Sequence, residues 1–378
     1  MNRRLSSTLG FGALALLAAT YVAKAYADAK VEMGEIEGAT YRIDMPERWN
    51  GGLVIMNHGY SIEPRKPQPG PPSARITLFT DEGYAVAQSS YSKGGYALPE
   101  ALEDNEKLRK HFIKEFGLPK AIYATGGAMG ATITMLSIER YPNAYTAGLA
   151  TCCGTLVPTL QNLQANFEVL TLVEYYFPGL FQAITGPPNG YQYNDAETKR
   201  VAAVLAANPE KAEIVRRIAR RKMADMAGYL TFETYVVHEI QERAGGNPFD
   251  TRTTVFNVDD DLAKVNAGVK RYDADPRARA FLQKVYPSPS GNLKRPLLVM
   301  SPVYDPIVPV TSVAPYVQVV HDAGAEKNLA FQFFDHEGHG NVSAEEVKVA
   351  FDALQAWVHG GPKPADGAGV TIRSARDH

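Results

Sequence analysis

Residues 123–142 read YATGGAMGATITMLSIERYP, and what this stretch becomes decides the fold. AIYAT (121–125) is an apolar run of strand length, GGAMG (126–130) a glycine-rich turn, and ATITMLSIER (131–140) a segment of helical pattern. A strand that breaks so sharply into a helix needs small residues around the break, because side chains flanking the central position collide there. The turn matches the pattern G-x-S-x-G in every place but the centre, where Ala128 stands. A dinucleotide site needs G-x-G-x-x-G and an acidic residue about 20 positions on. Here the order differs, and Glu139 lies on the helix itself.

Working outward, the same alternation continues on both sides. ATYRID (39–44) alternates apolar and polar residues, and the chain turns at PERWNGG before the apolar run Leu53 to Met56. GYAVAQSSYS (83–92) is a third strand. EALEDNEKLRKHFIKEFG (100–117) carries Leu102, Leu108, Phe112, Ile113 and Phe116 at helical spacing and ends at Gly117. Strand, helix and strand in succession imply parallel pairing. AGLATCC (147–153) is the next strand. After a long interval RPLLVMSP, VTSVAPYVQVVHDAG, NLAFQFFDHEGHG and SAEEVKVAFDALQAWVHGG repeat strand, helix, strand, helix. Ser343 and Glu346 stand at the capping-box offset of the last helix. The expected fold class is α/β, a mainly parallel sheet flanked by helices.

Between those blocks residues 156–293 change to helical pattern, rich in Leu, Phe and Tyr. A connection of that length is a folded insertion. It is expected to lie over the sheet as a lid, since the flanking strands end at the edge where open α/β sheets hold ligands; the alternative is a separate helical domain. GPPNGYQYND and YPSPSGNLKRP read as its surface loops or hinges.

The first residues differ from the rest. Two arginines, an apolar run from Leu9 to Ala23 and the small residues Ala25 and Ala27 form the pattern of an export signal at 1–27. The expectation is a secreted or periplasmic protein without a membrane anchor after cleavage. The domain plan is then 1–27 signal, 28–155 first part of the core, 156–293 helical insertion or lid, 294–361 second part of the core and 362–378 a flexible, Pro/Gly-rich tail. With 378 residues, 45% of them hydrophobic, the chain can bury a full core. A formal charge of −2 gives no basic excess for nucleic acid or an anionic membrane. Cys152 and Cys153 are adjacent, so they bridge only through a strained ring, and they do not form a metal-ligand pattern. The three aspartates of VDDDLAK (258–264) lack the glycine and terminal glutamate of a calcium loop and read as a helix cap. No cofactor or metal is expected.

Three further features bear on chemistry. Asp305, in SPVYDPIVP, follows the apolar strand Leu297 to Met300. His339, in DHEGHGN, follows the last strand. The order turn residue, acid, histidine at successive strand ends is that of a Ser-Asp-His triad. NHGY (57–60) ends an early buried strand where one arm of an oxyanion hole belongs, with the N–H groups of Tyr60 and Met129 as donors. His58 is read as a structural, hydrogen-bonded histidine.

WNGGLVIMNHGY, ATGGAMGA, YDPIVP and GHG together resemble the α/β-hydrolase superfamily, in its secreted esterase/lipase and prolyl-oligopeptidase-like region. The match spans everything except the signal, the insertion and the tail. It implies a Ser-His-Asp acyl-enzyme mechanism with His339 as base, Asp305 as its orienting acid and the nucleophile at position 128. Ala128 departs from the pattern and has no oxygen to attack with. One reading is a Ser→Ala replacement that inactivates an otherwise complete enzyme. The others are a natural pseudoenzyme that binds ligand, and a non-hydrolytic enzyme using His339 as base. The expected substrate is a small-molecule ester of a hydrophobic or aromatic, phenolic acid, contacted by Tyr91, Tyr96, Tyr175, Tyr176 and Phe177. The oligomeric state is not legible.

Overall fold

The computed structural model describes residues 31–151, 156–181, 183–186, 191–367 and 369–370. The expected leader at 1–27, Cys152 and Cys153 lie outside the described residues, as do 187–190 of one expected hinge and 371–378 of the tail. No helix among the described residues is long and apolar enough to cross a membrane.

The strands are β1 (Val31–Ile36), β2 (Ala39–Asp44), β3 (Gly52–Asn57), β4 (Ala85–Ser89), β5 (Ala121–Gly127), β6 (Ala147–Thr151), β7 (Leu297–Tyr304), β8 (Leu329–Glu337) and β9 (Gly369–Val370). They form one sheet in the order β1-β2-β4-β3-β5-β6-β7-β8-β9. Pairing is antiparallel at β1/β2 and β2/β4 and parallel at every other junction. β3 and β5, far apart in sequence, lie side by side at the centre with Asn57 opposite Gly126.

The period-2 alternation of the central strands feeds two apolar layers. Leu53 and Ile55 of β3 and Leu297 and Val299 of β7 face one layer; Val54, Leu298 and Met300 face the other. The second layer is covered by α1 (Ala74–Asp81) through Ile76 and Phe79, and by Val347, Ala350, Phe351 and Leu354 near the end of the chain. The first is covered by α2 (Leu98–Phe116), by α3 (Met129–Arg140) and by the insertion. α2 buries Leu102, Leu108 and Phe112 and stops at Gly117, whose φ of 92° favours glycine.

Residues 156–293 contribute α4 (Thr159–Tyr176), α5 (Asp195–Ala206), α6 (Pro209–Ala219), α7 (Met223–Ala244), α8 (Leu262–Gly268) and α9 (Pro276–Val285). Their apolar side chains, such as Leu163, Phe167, Leu230 and Val236, join the same continuous layer as Leu53 and Ile133. In α8 the Asp261 carboxylate caps the Lys264 N–H, the role expected of the three-aspartate run. The loop at 286–296 is tied down, because the Ser290 and Gly291 N–H groups donate to the Glu139 carboxylate at 2.7 and 2.8 Å. α10 (Ala314–Asp322) and α11 (Ala344–Val358) complete the core, and Ser343 and Glu346 form the expected capping box.

β1, β9 and α1 are additions to the sequence reading, and β9 corrects part of the expected flexible tail, since Gly369–Val370 pairs with β8 and Asp366 Oδ1 accepts from the Phe331 N–H at 2.9 Å. β1 is a half-exposed edge strand, so its apolar pattern is weak. α1 starts after a Pro-rich loop, with the Ser73 hydroxyl accepting from the Ile76 N–H.

The parallel centre depends on a close approach. A Cβ on Gly130 would fall 2.4 Å from the Asn57 carbonyl oxygen. Gly130→Ala is therefore expected to destabilise the protein by roughly 1–3 kcal/mol, the cost of overpacking, as read by urea unfolding; an unchanged midpoint would contradict the packing described.

Candidate active site

β5 ends at Gly127 and α3 begins at Met129, leaving Ala128 to make the whole turn at φ 53°, ψ −127°. A residue with a Cβ in that region costs on the order of 1–3 kcal/mol. The surroundings hold it there. Hypothetical Cβ atoms on Gly126 and Gly130 would lie 2.6 and 2.4 Å from the Asn57 carbonyl oxygen, so neither neighbour could be larger. A Cβ on Gly59 would come within 3.3 Å of the Ala128 Cβ, so the arm after β3 also passes close to the turn. The Met129 N–H opens α3 and belongs to the first-turn donors that no helical carbonyl can satisfy.

Asp305 follows β7 directly and is 2% exposed. Its Oδ1 accepts from the Ile307 and Val308 N–H groups, both at 2.8 Å. Its Oδ2 lies 2.8 Å from His339 Nδ1. With Nδ1–H donated to the carboxylate, the His339 lone pair sits on Nε2. His339 and Ala128 line the same two cavities. The loop after Asp305 is braced from the insertion by buried Arg221, which donates from Nε to Pro306 O at 2.6 Å and from Nη2 to Ile307 O at 2.8 Å.

The arm after β3 is braced twice. His58 places Nδ1 2.7 Å from Gly59 O and Nε2 3.2 Å from Ser90 O, and its ring stacks on Tyr91 at 3.9 Å. Burial lowers its pKa, which favours a neutral imidazole. From the other side the Tyr60 hydroxyl donates to Glu239 Oε2 of α7 at 2.6 Å. The same carboxylate accepts from the Tyr96 N–H at 2.8 Å and from Arg243 Nε at 2.7 Å. Burial, with that carboxylate alongside, holds the Tyr60 phenol far above its ordinary pKa.

The larger cavity, about 630 Å³, is lined by Gly59, Tyr60, Ala128 and His339 together with Arg65, Arg75, Tyr193 and Phe232. The smaller, about 250 Å³, is reached from the same Ala128 and His339 and runs between α4, α7 and the 307–312 segment. Of the residues expected to touch substrate, Tyr96 lines the smaller cavity. Tyr91 lines neither cavity: it is 1% exposed, behind His58, and its hydroxyl donates to His58 O at 3.1 Å. Tyr176 and Phe177 are buried within the insertion, where the Tyr176 hydroxyl donates to Asp260 at 2.9 Å. Tyr175 packs edge-on against Tyr176 and over Gly268. These three are insertion core and are corrected as substrate contacts, because an aromatic-rich helix mostly buries its rings in its own packing.

Glu233 escaped the sequence reading. It stands on α7 at helical spacing from buried Tyr229, Val236, Val237 and Ile240, a charge on an apolar stripe, which was the available signal. It is 5% exposed and lines the smaller cavity. Burial raises its carboxyl to about 7, against the opposing pull of the Arg221 charge and the Asn166 hydrogen bond. Among the described residues no group of three or more His, Cys, Asp or Glu is arranged to hold a metal ion.

Ala128→Gly relieves a positive φ and is expected to stabilise the protein by about 1 kcal/mol in urea unfolding; a loss of stability would show that the turn is unstrained. For Glu233, the folded carboxyl keeps a proton between about 4.5 and about 7 that the unfolded chain has released. Stability therefore falls as pH rises through that window, by about 3 kcal/mol in total. Glu233→Gln is expected to flatten that decline when urea midpoints at pH 5 and pH 8 are compared, and an identical decline in both proteins would contradict the assignment.

No protein-family model and no curated protein sequence matches the chain. Solved structures to which it is similar include an acylaminoacyl peptidase of Pyrococcus horikoshii, at 14% identity over 87% of this chain and 42% of that one, TM-score 0.46. A Mycobacterium tuberculosis puromycin-hydrolyzing peptidase is similar at 12% identity, over 89% of this chain and 40% of that one, TM-score 0.49. A Pyrococcus furiosus esterase is similar at 13% identity, over 86% of this chain and 91% of that one, TM-score 0.46. The chain thus spans about two fifths of the length of the two peptidases and nearly all of the esterase. Its own sheet order, the strained turn after β5, and Asp305 and His339 at the ends of β7 and β8 give it the fold of the α/β-hydrolase superfamily.

Proposed function

We propose that the chain is built as a serine-type carboxylic ester hydrolase whose nucleophile position is occupied by alanine. The observation that carries this reading is the His339–Asp305 pair, 2.8 Å apart, with His339 lining the same cavities as the strained turn at Ala128. With serine at 128, His339 Nε2 takes the hydroxyl proton as Oγ attacks the ester carbonyl. The oxyanion is received by the Met129 and Tyr60 N–H groups. His339 then protonates the departing alkoxide, and water repeats the sequence on the acyl-enzyme. Asp305 holds the imidazole tautomer and stabilises its charged form. Alanine leaves binding and oxyanion stabilisation in place and removes the bond-forming atom.

The aromatic side chains of Tyr60, Tyr96, Tyr193 and Phe232 suit a hydrophobic or aromatic acid or alcohol. The helical insertion acts as the lid over them, and the amino-terminal signal directs the protein to the periplasm or beyond. The retained acid, base and strained turn favour a Ser→Ala replacement over a drifting pseudoenzyme, which has no use for them.

The test is hydrolysis of a panel of alkyl and aryl esters by this chain and by Ala128→Ser. The substituted protein is expected to exceed this chain in kcat by on the order of 10⁴-fold or more. A silent Ala128→Ser protein, beside ligand turnover by the chain with Ala128, would replace this reading with a His339-driven one.

A further inference from the structure

The smaller cavity carries an unspent charge. Among the described residues that line it Glu233 is the one carboxylate, and none is a Lys or Arg. One hydrogen bond reaches that carboxylate, from Asn166 Nδ2 to Oε2 at 2.6 Å, although a carboxylate offers about four acceptor sites. The Arg221 charge pulls on it without forming an ion pair. No ion pair within 4.0 Å joins the two among the described residues, and the Arg221 donors go to the carbonyls of Ala219, Arg220, Pro306 and Ile307. Asn166 is in turn held by the Tyr229 hydroxyl at 3.1 Å, so the amide is aimed at Glu233 by its own partner. Ser312 lines the same cavity, and among the described residues its enclosed Oγ has no hydrogen-bond partner.

A buried carboxylate with spare acceptor sites is costly to hold ionised, and a cationic partner in the cavity offsets that cost. The wall that holds Glu233 also holds the aromatic rings of Tyr60, Tyr96 and Phe232, and an aromatic face attracts a cation through its quadrupole. The complement of this set is a compact group with several N–H donors, a positive charge and no acceptor. We infer that the smaller cavity is a subsite for a protonated amine carried by the substrate, with Glu233 as its counter-ion. A primary ammonium matches it: one N–H to the Glu233 carboxylate, another to an uncharged acceptor on the same wall, and the charge against the rings. A hydroxyl reaches the same acceptors and brings no charge, so it is the discriminating control. The subsite deepens the hydrolase reading by naming one end of the ester, and it rests on that reading only for which bond is cut.

Binding tests it without turnover, because the chain with Ala128 keeps its ligands intact under that reading. Methyl 6-aminohexanoate, methyl 6-hydroxyhexanoate and methyl heptanoate place an amine, a hydroxyl or a methyl at one distance on the acyl side. 6-Aminohexyl acetate, 6-hydroxyhexyl acetate and heptyl acetate do the same on the alcohol side. By titration calorimetry at pH 7.5 at least one amino ester is expected to bind about 10-fold or more tighter than its isosteres, and Glu233→Gln is expected to bring it down to their level. Equal Kd values across the set, a hydroxy ester as tight as the amino ester, or a preference that survives Glu233→Gln would each overturn the subsite. The comparison among ligands needs no variant, so it stands even where Glu233→Gln folds poorly. Turnover of heptanoate esters by Ala128→Ser without an amine preference removes the subsite and keeps the hydrolase. An amine preference with no turnover by Ala128→Ser does the reverse.

Discussion

The approach of the Asn57 carbonyl to Gly126 and Gly130 is the constraint on which the site depends. It brings the end of β3 against the turn between β5 and α3, and so sets where Tyr60 and Met129 stand relative to position 128. Asn57 is itself fixed from two sides, by donation of its Nδ2 to Thr134 Oγ1 at 2.9 Å and by donation from Asn105 Nδ2 to its Oδ1 at 2.7 Å. Both partners come from the helices that pack on the sheet. The backbone strain at Ala128 is thus held by contacts formed elsewhere, as strained functional positions require. A fold that needed only a turn could relieve it with glycine.

The insertion braces this centre at two points. Arg221, at the junction of α6 and α7, fixes the loop that displays Asp305, while Glu239 on α7 ties Tyr60 and the Tyr96 backbone to Arg243. One helix and the turn before it therefore touch both halves of the site. Arg243 extends the tie to Glu100 at 3.1 Å on α2, so the bracing is anchored in the core. Glu233 sits on the same helix, on the face turned to the smaller cavity. A shift of α7 would disturb the oxyanion arm, the acid loop and the cavity wall together.

The parallel sheet, its central helices and the meeting of Ala128, Asp305 and His339 were legible because their signals are local. Glycines mark the sharp turn, apolar runs mark central strands, and the acid and histidine follow strand ends in order. β1 and α1 were not, since an edge strand exposes one side and a short helix after a Pro-rich loop has little periodicity. Tyr175, Tyr176 and Phe177 misled because composition does not say which face of a helix meets a cavity. Tyr91 misled because a loop residue near a pocket can brace it from behind. Glu233 and Glu239 act through partners distant in sequence, Asn166 and Tyr60, and such pairs exist only once the insertion has packed.

The central claim is that position 128 is the point at which His339 and the two backbone donors converge. The most direct measurement is to treat Ala128→Ser with a fluorophosphonate and map the adduct by peptide mass spectrometry. The account predicts one phosphonyl group, on residue 128, with modification abolished when His339 is also replaced by alanine. An adduct on any other residue, or none under conditions that preserve the fold, would contradict it.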